Sequence, residues 1–219
     1  MQPAINVEPY VVLVHGFLRR GRNMRFLARE LEQRGYRPLT PNLPTTFRNV
    51  AACAESLELY LDERLPRAGE RVVHFVGHSM GGLIIREYLS RRVVTGLGKI
   101  VLIGTPNKGS RHGNRALLAP LFRRVFQGLS DLAEPGPHIA PPRNVPPPDV
   151  GVVVGTWTDV LRRQLLRGEH DGLVTVDSAR NVPARDEFWV PTSHERLHWR
   201  QDTAEAIDSF LRTGKFRAG

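Results

Sequence analysis

The segment Gly77-His78-Ser79-Met80-Gly81 sets one serine between two glycines, after the apolar run 72–76 and before an apolar-periodic segment at 83–89. Strand, Gly-x-Ser-x-Gly and helix in that order describe a turn tight enough to force a strained backbone on Ser79. Glycine is required at 77 and 81 because a side chain there would collide with the neighbouring strand or helix. The turn lifts the Ser79 hydroxyl to its tip, and the helix that follows aims its first N–H groups and positive dipole end at the same place. That arrangement suits a reaction in which an oxygen becomes negative, as when a serine attacks a carbonyl carbon.

A serine nucleophile needs a base, an orienting acid and oxyanion donors. On an open parallel sheet these project from loops at the carboxyl ends of the strands. In the chain order Ser, Asp, His, the candidates are Asp171, after the predicted strand 151–156, and His194, after the predicted strand 187–190. Asp159 is the rival acid and comes sooner after its strand, but capping a helix that begins at Val160 is sufficient reason for it. Asp171 precedes Gly172, Leu173 and Val174, which can pin its loop against the core. His198 is the rival base, and spacing alone does not separate it from His194. His194 sits just beyond Pro191, where a base should stand, whereas His198 borders the last helix beside Trp199. His15-Gly16-Phe17 follows the first strand and can present the Phe17 N–H; the Met80 N–H is the second donor. His78 is expected to turn away from the cleft, His74 to pack in the core, and His15 to shape the oxyanion loop without moving protons. His112, His138 and His170 have no partner pattern, so neither a metal nor a cofactor is expected.

The elements that must position these groups alternate. The segments 10–14, 72–76, 99–103, 151–156 and 187–190 read as strands, and 37–43 as a short strand leading into a proline-marked loop. Between and after them, 23–34 (Met24, Leu27 and Leu31 on one face, Asn23 as N-cap), 48–65, 80–91 and 202–212 read as helices. The pattern predicts a parallel sheet with helices on both faces. It breaks at 106–149, which holds no clear strand, a helical spacing over 116–132 and a proline-rich run from Pro135 to Pro148. An excursion of that length in a compact domain is either a lid over a binding site or a structural cap. As a lid it would bring the apolar face of 116–132 to the substrate, with Leu121 and Phe122 as candidate substrate-binding residues. The whole chain, 1–219, is read as one domain with 106–149 as its insertion.

Composition narrows the function classes. With 219 residues and 41% apolar content, one domain can bury a full core. No run approaches the roughly 20 apolar residues of a membrane helix. The start MQPAINVEPY has no signal-peptide pattern, so a cytoplasmic location is expected. The single Cys53 excludes an internal disulfide and a multi-cysteine metal site. The net charge of +9 comes from arginines scattered along the chain, with only Lys99, Lys108 and Lys215 as lysines, and no nucleic-acid motif accompanies it. No nucleic-acid partner is therefore expected, and the oligomeric state is open.

GHSMGG, the HGF loop, GTPNKGS at 104–110, HDGLVTVDSAR at 170–180 and PTSH at 191–194 together resemble the α/β-hydrolase superfamily, and within it small lipases/esterases and GPI inositol-deacylase-like serine hydrolases. The resemblance spans about residues 10–213. It implies an α/β-hydrolase fold: a mostly parallel sheet of about six strands, helices on both faces and a short cap. It also implies Ser79 as nucleophile, His194 as base, Asp171 as acid, and Phe17 and Met80 as oxyanion donors. The activity implied is cleavage of carboxylic esters through an acyl-enzyme, on a small or lipid-like substrate. The short cap argues against long-chain triglycerides. An acyltransferase or thioesterase would use the same residues, and a noncatalytic binding protein on this fold is the rival from another class.

Overall fold

The computed structural model describes residues 8–66, 71–110, 127–133, 135–157 and 169–217. Six strands form one sheet: β1 (Tyr10–Val14), β2 (Arg37–Leu39), β3 (Val73–His78), β4 (Leu97–Ile103), β5 (Val150–Gly155) and β6 (Asp186–Val190). Their spatial order is β2-β1-β3-β4-β5-β6, and every neighbouring pair is parallel. The chain runs outward from β1 to β2, then crosses back to place β3 on the other side of β1. The direction of winding thus reverses between β1 and β3, and in such sheets ligands bind in the crevice beyond that point.

Central strands read as unbroken apolar runs because both of their faces are covered. All five residues of β1 are buried. Tyr10, Val12 and Val14 face one layer, with Phe75 of β3 and with Leu57 and Ile84 from helices α2 (Val50–Arg64) and α3 (Met80–Arg91). Val11 and Leu13 face the other layer, with Val76 and Val101. That layer is closed by Leu27 and Leu31 of α1 (Arg25–Glu32) and by Ile207 and Phe210 of the last helix, Gln201–Thr213. Burying each such side chain stabilises the fold by about 1.5–3 kcal/mol, so the sheet is held from both sides. Among the described residues no helix is long and apolar enough to cross a membrane.

Some local expectations are corrected. β2 ends at Leu39 rather than running to residue 43. Pro41 and Pro44 cannot donate to a ladder, and the chain instead folds across the end of β1, burying Leu43 and Thr45. Asn23 is not the N-cap of α1. A 3-10 turn, Gly21–Met24, precedes that helix, and the Asn23 side chain accepts the Arg20 N–H at 2.9 Å. Of the helix expected over 116–132, residues 116–126 lie outside the described residues; its end is the short helix α4 (Gly128–Leu132). Residue 159 and the helix expected to begin at 160 also lie outside them.

Candidate active site

Ser79 stands between β3 and α3 at φ 56° and ψ −127°, a conformation that costs an ordinary side chain about 1–3 kcal/mol. The surroundings enforce it. Ser79 N–H donates to the Ile103 carbonyl of β4 at 2.8 Å. A Cβ at Gly77 would meet the α3 backbone 2.5 Å away at Gly82 N, and one at Gly81 would be driven into the Val14 carbonyl of β1. The elbow is therefore wedged between its own helix and the neighbouring strand. Met80 is the first residue of α3, so its N–H has no acceptor within the helix and faces the end where Ser79 stands.

The loop after β1 approaches from the other side of the crevice. A Cβ on Gly16 would lie 3.0 Å from Ser79 Cβ, so the loop backbone runs directly beside the serine. His15 is buried, its Nε2 accepts the Leu43 N–H at 3.1 Å, and its Nδ1 therefore donates to the Gly16 carbonyl at 3.0 Å. Burial lowers the pKa of His15, which favours this neutral form. The Thr45 hydroxyl donates to the same carbonyl at 3.0 Å. Leu18, next in the loop after Phe17, has a φ of 55°.

Asp171 and His194 come from two separate loops beyond β5 and β6. His194 Nδ1 donates to Asp171 Oδ2 at 2.7 Å, with both side chains buried. Asp171 Oδ1 accepts the Leu173 and Val174 N–H groups at 3.0 and 2.8 Å, and the Asp171 carbonyl accepts the His194 N–H at 2.8 Å. The carboxylate is thus held at both oxygens, and its loop is tied by its backbone to the histidine loop. Strand-end glycines make room: a Cβ at Gly155 would lie 2.6 Å from Asp171 Cβ, and one at Gly104 3.1 Å from Asp171 Oδ2. In the sequence Gly104 stands only as the start of GTPNKGS and Gly155 only as part of a strand, with no sign that either makes room for Asp171.

Buried His78 contacts both His194 and His198. It lines the cavity beside Ser79 and His194. Its Nε2 donates to the His194 carbonyl at 3.0 Å, and its ring centroid lies 4.9 Å from that of His194. The His198 ring packs against His78 at 4.1 Å with the planes tilted by 39°, and its Nε2 accepts the Trp199 indole N–H. Burial, with the neighbouring His194 and Arg19 as further causes, holds His198 down to about 3, and burial holds His78 well below the usual histidine value. Two neutral imidazoles therefore back the residue 194 loop. Phe188–Val190 leads into it, and His194 opens a 3-10 turn, His194–Trp199, where a plain loop was expected.

Ser79 and His194 share a cavity of about 320 Å³ whose apolar wall includes Pro106, Leu132, Leu173 and Val174. Among the described residues no hydrogen bond joins the Ser79 hydroxyl to the His194 ring, and such contacts commonly tighten only when substrate is bound. Arg19 and Glu195 pair at 3.0 Å over the cavity and link the loop after β1 to the histidine loop. The described ends of the 106–149 excursion meet there as well. Ser110 N–H donates to the Leu132 carbonyl at 2.8 Å, which sets Leu132 in the wall. Leu121 and Phe122, the substrate-binding candidates, lie outside the described residues.

The arrangement can activate a hydroxyl, stabilise an imidazolium and offer backbone N–H groups to an oxyanion. Comparison with known proteins agrees with that chemistry at the level of family. The model of a family described as "Alpha/beta hydrolase family" matches residues 11–215. Comparison with the curated proteins finds no match. Among solved structures, the mature Bacillus licheniformis lipase BlEst2 superposes with a TM-score of 0.74 at 18% identity, covering 98% of this chain and 95% of that one. The metagenomic carboxyl esterase MGS0156 gives 0.69 at 16% identity, covering 86% and 65%. Phospholipase PlaB from Legionella pneumophila gives 0.71 at 14%, covering 94% and 60%. At such identities these structures establish a shared fold and nothing finer.

Proposed function

Because this chain belongs to the alpha/beta hydrolase family, we propose that it hydrolyses carboxylic esters through an acyl-enzyme on Ser79. The observation that carries the reading is the buried His194–Asp171 pair, 2.7 Å long, in the same cavity as a serine held at φ 56°. Ser79 Oγ attacks the ester carbonyl carbon while its proton passes to His194 Nε2, the ring nitrogen not engaged by Asp171. Asp171 orients the ring and stabilises the imidazolium. The Phe17 and Met80 N–H groups hold the tetrahedral oxyanion. Collapse breaks the bond to the alcohol oxygen, which leaves with the proton from His194. Water then repeats the sequence and releases the acid.

The acyl group lies against Leu132, Leu173 and Val174. A cavity of about 320 Å³ is at the small end of ligand pockets, which suits a short- to medium-chain ester. The 106–149 segment acts as a lid, with Leu121 and Phe122 on its substrate face. The test is labelling by an alkyl fluorophosphonate, read by mass spectrometry, beside turnover of 4-nitrophenyl esters. Wild-type protein should be labelled at Ser79, and Ser79→Ala should lose roughly 10⁴-fold in kcat/KM or more while remaining folded. An unlabelled Ser79 in folded protein would instead favour a noncatalytic binding protein.

A further inference from the structure

We propose that Thr45 is a positioning residue for the oxyanion site, acting through the carbonyl of Gly16 on the direction of the Phe17 N–H. The proposal rests on the reading above that Phe17 donates to the oxyanion. A trans peptide is a rigid plate whose C=O and N–H point in opposite directions. The Gly16 carbonyl and the Phe17 N–H belong to one such plate, so holding the carbonyl aims the amide.

The carbonyl is held twice, by His15 Nδ1 and by the Thr45 hydroxyl, each at 3.0 Å. His15 is itself held by the Leu43 N–H, and Thr45 N–H donates to the Leu43 carbonyl at 2.9 Å. The short turn at 43–45 therefore braces the loop after β1 through two of its three residues. Thr45 is fully buried at 0% exposure and does not line the cavity, so it can reach the reaction only through what it holds.

The brace is needed for a physical reason. A Cβ at residue 16 would crowd Ser79 at 3.0 Å, and the glycine there resists rotation of its own peptide less than any other residue. Leu18, two residues on, sits at φ 55°, where a leucine is strained. The peptide that joins residues 16 and 17 turns about Gly16 ψ and Phe17 φ, and on the glycine side little opposes that rotation. That turn would swing the Phe17 N–H away from the serine. Hydrogen bonds to the carbonyl oppose it.

The experiment compares Thr45→Val, which keeps the shape and removes the hydroxyl, with Thr45→Ser, which keeps the hydroxyl. On 4-nitrophenyl butyrate, Thr45→Val should lose roughly 10- to 100-fold in kcat, less than the loss of a whole oxyanion donor, with KM within about twofold. Thr45→Ser should recover to within about threefold of wild type. A butyl boronic acid, whose tetrahedral adduct on Ser79 carries the same negative oxygen, should weaken by the same factor as kcat/KM. Loosening of the fold alone would lower the melting temperature without that proportionality. Should Thr45→Val not fold, Thr45→Ala removes the same hydroxyl with less bulk and carries the same comparison. Wild-type kcat in the valine or alanine variant, or a rise in KM alone, overturns the proposal. A wild-type protein that neither turns over ester nor labels at Ser79 overturns the functional reading instead.

Discussion

The two halves of the candidate site are held in place by different forces. On the nucleophile side, β1, β3 and α3 press together so closely that Gly77 and Gly81 have no room for a Cβ, and Ser79 takes its strained backbone because the chain has nowhere else to go. On the acid–base side, Asp171 and His194 sit on loops beyond β5 and β6 and are held by hydrogen bonds: both carboxylate oxygens are occupied, and His78 supports the His194 carbonyl. Steric wedging is local and rigid, because backbone atoms cannot yield. Hydrogen-bonded positioning is long-range and chemically selective, because it fails when one partner loses its donor or changes its charge. The first kind of support should break through added bulk and the second through altered polarity.

After the loss of Ser79 itself, the largest expected effect is on the polar side. His194→Ala should lose roughly 10³-fold in turnover of an activated ester, while His198→Ala keeps most of its rate. Asp171→Ala should fall well below Asp159→Ala in the same assay. A dead His198 variant beside an active His194 variant would move the base one turn along the chain.

Next in size is bulk on the wedged side. Gly81→Ala drives a methyl into the Val14 carbonyl, and backbone must shift to admit it. It should destabilise the fold by about 3 kcal/mol, seen as a lower urea midpoint or as insoluble protein. Wild-type stability in this variant would mean that the elbow is looser than its contacts indicate.

Acid should act on the polar side through His198. His198 is held down to about 3 in the folded chain, whereas an unfolded histidine titrates near 6.5. Below about pH 6.5 the unfolded chain therefore binds the extra proton, and stability falls as pH drops toward 3. The loss from this one residue reaches about 2 kcal/mol at pH 5. His198→Gln, which keeps an acceptor for the Trp199 indole, should flatten the fall in melting temperature between pH 7 and pH 5. An equally steep fall would assign the acid sensitivity to other groups.

The smallest effect belongs to the cavity wall. Leu132→Ala enlarges the pocket beside Ser79 and should raise the preference for longer over shorter acyl chains by roughly three- to tenfold. Polar replacements at Leu121 and Phe122 should shift the same preference if residues 116–126 form the lid face. An unchanged profile with a lower melting temperature would make them plain packing residues.

What the sequence determined by itself is mostly short-range. Unbroken apolar runs give buried parallel strands because both faces of such a sheet are covered, so β1, β3, β4 and β5 stand within a few residues of their predicted positions. The elbow was readable because Gly-x-Ser-x-Gly writes a steric demand into adjacent residues. Strand β2 was overestimated because prolines that end a ladder are easily read as part of an extended run. What only the tertiary structure decided involves groups far apart in the chain. That Asp171 and His194 meet at 2.7 Å, that His78 turns toward His194, and that Thr45 holds Gly16 all depend on which loops the strand order brings together. A hydroxyl in a proline-marked loop or a histidine inside a motif has many possible partners, and its own neighbours in sequence name none of them. The parallel sheet chooses the partners, because it gathers every βα loop at one end and reverses its winding between β1 and β3.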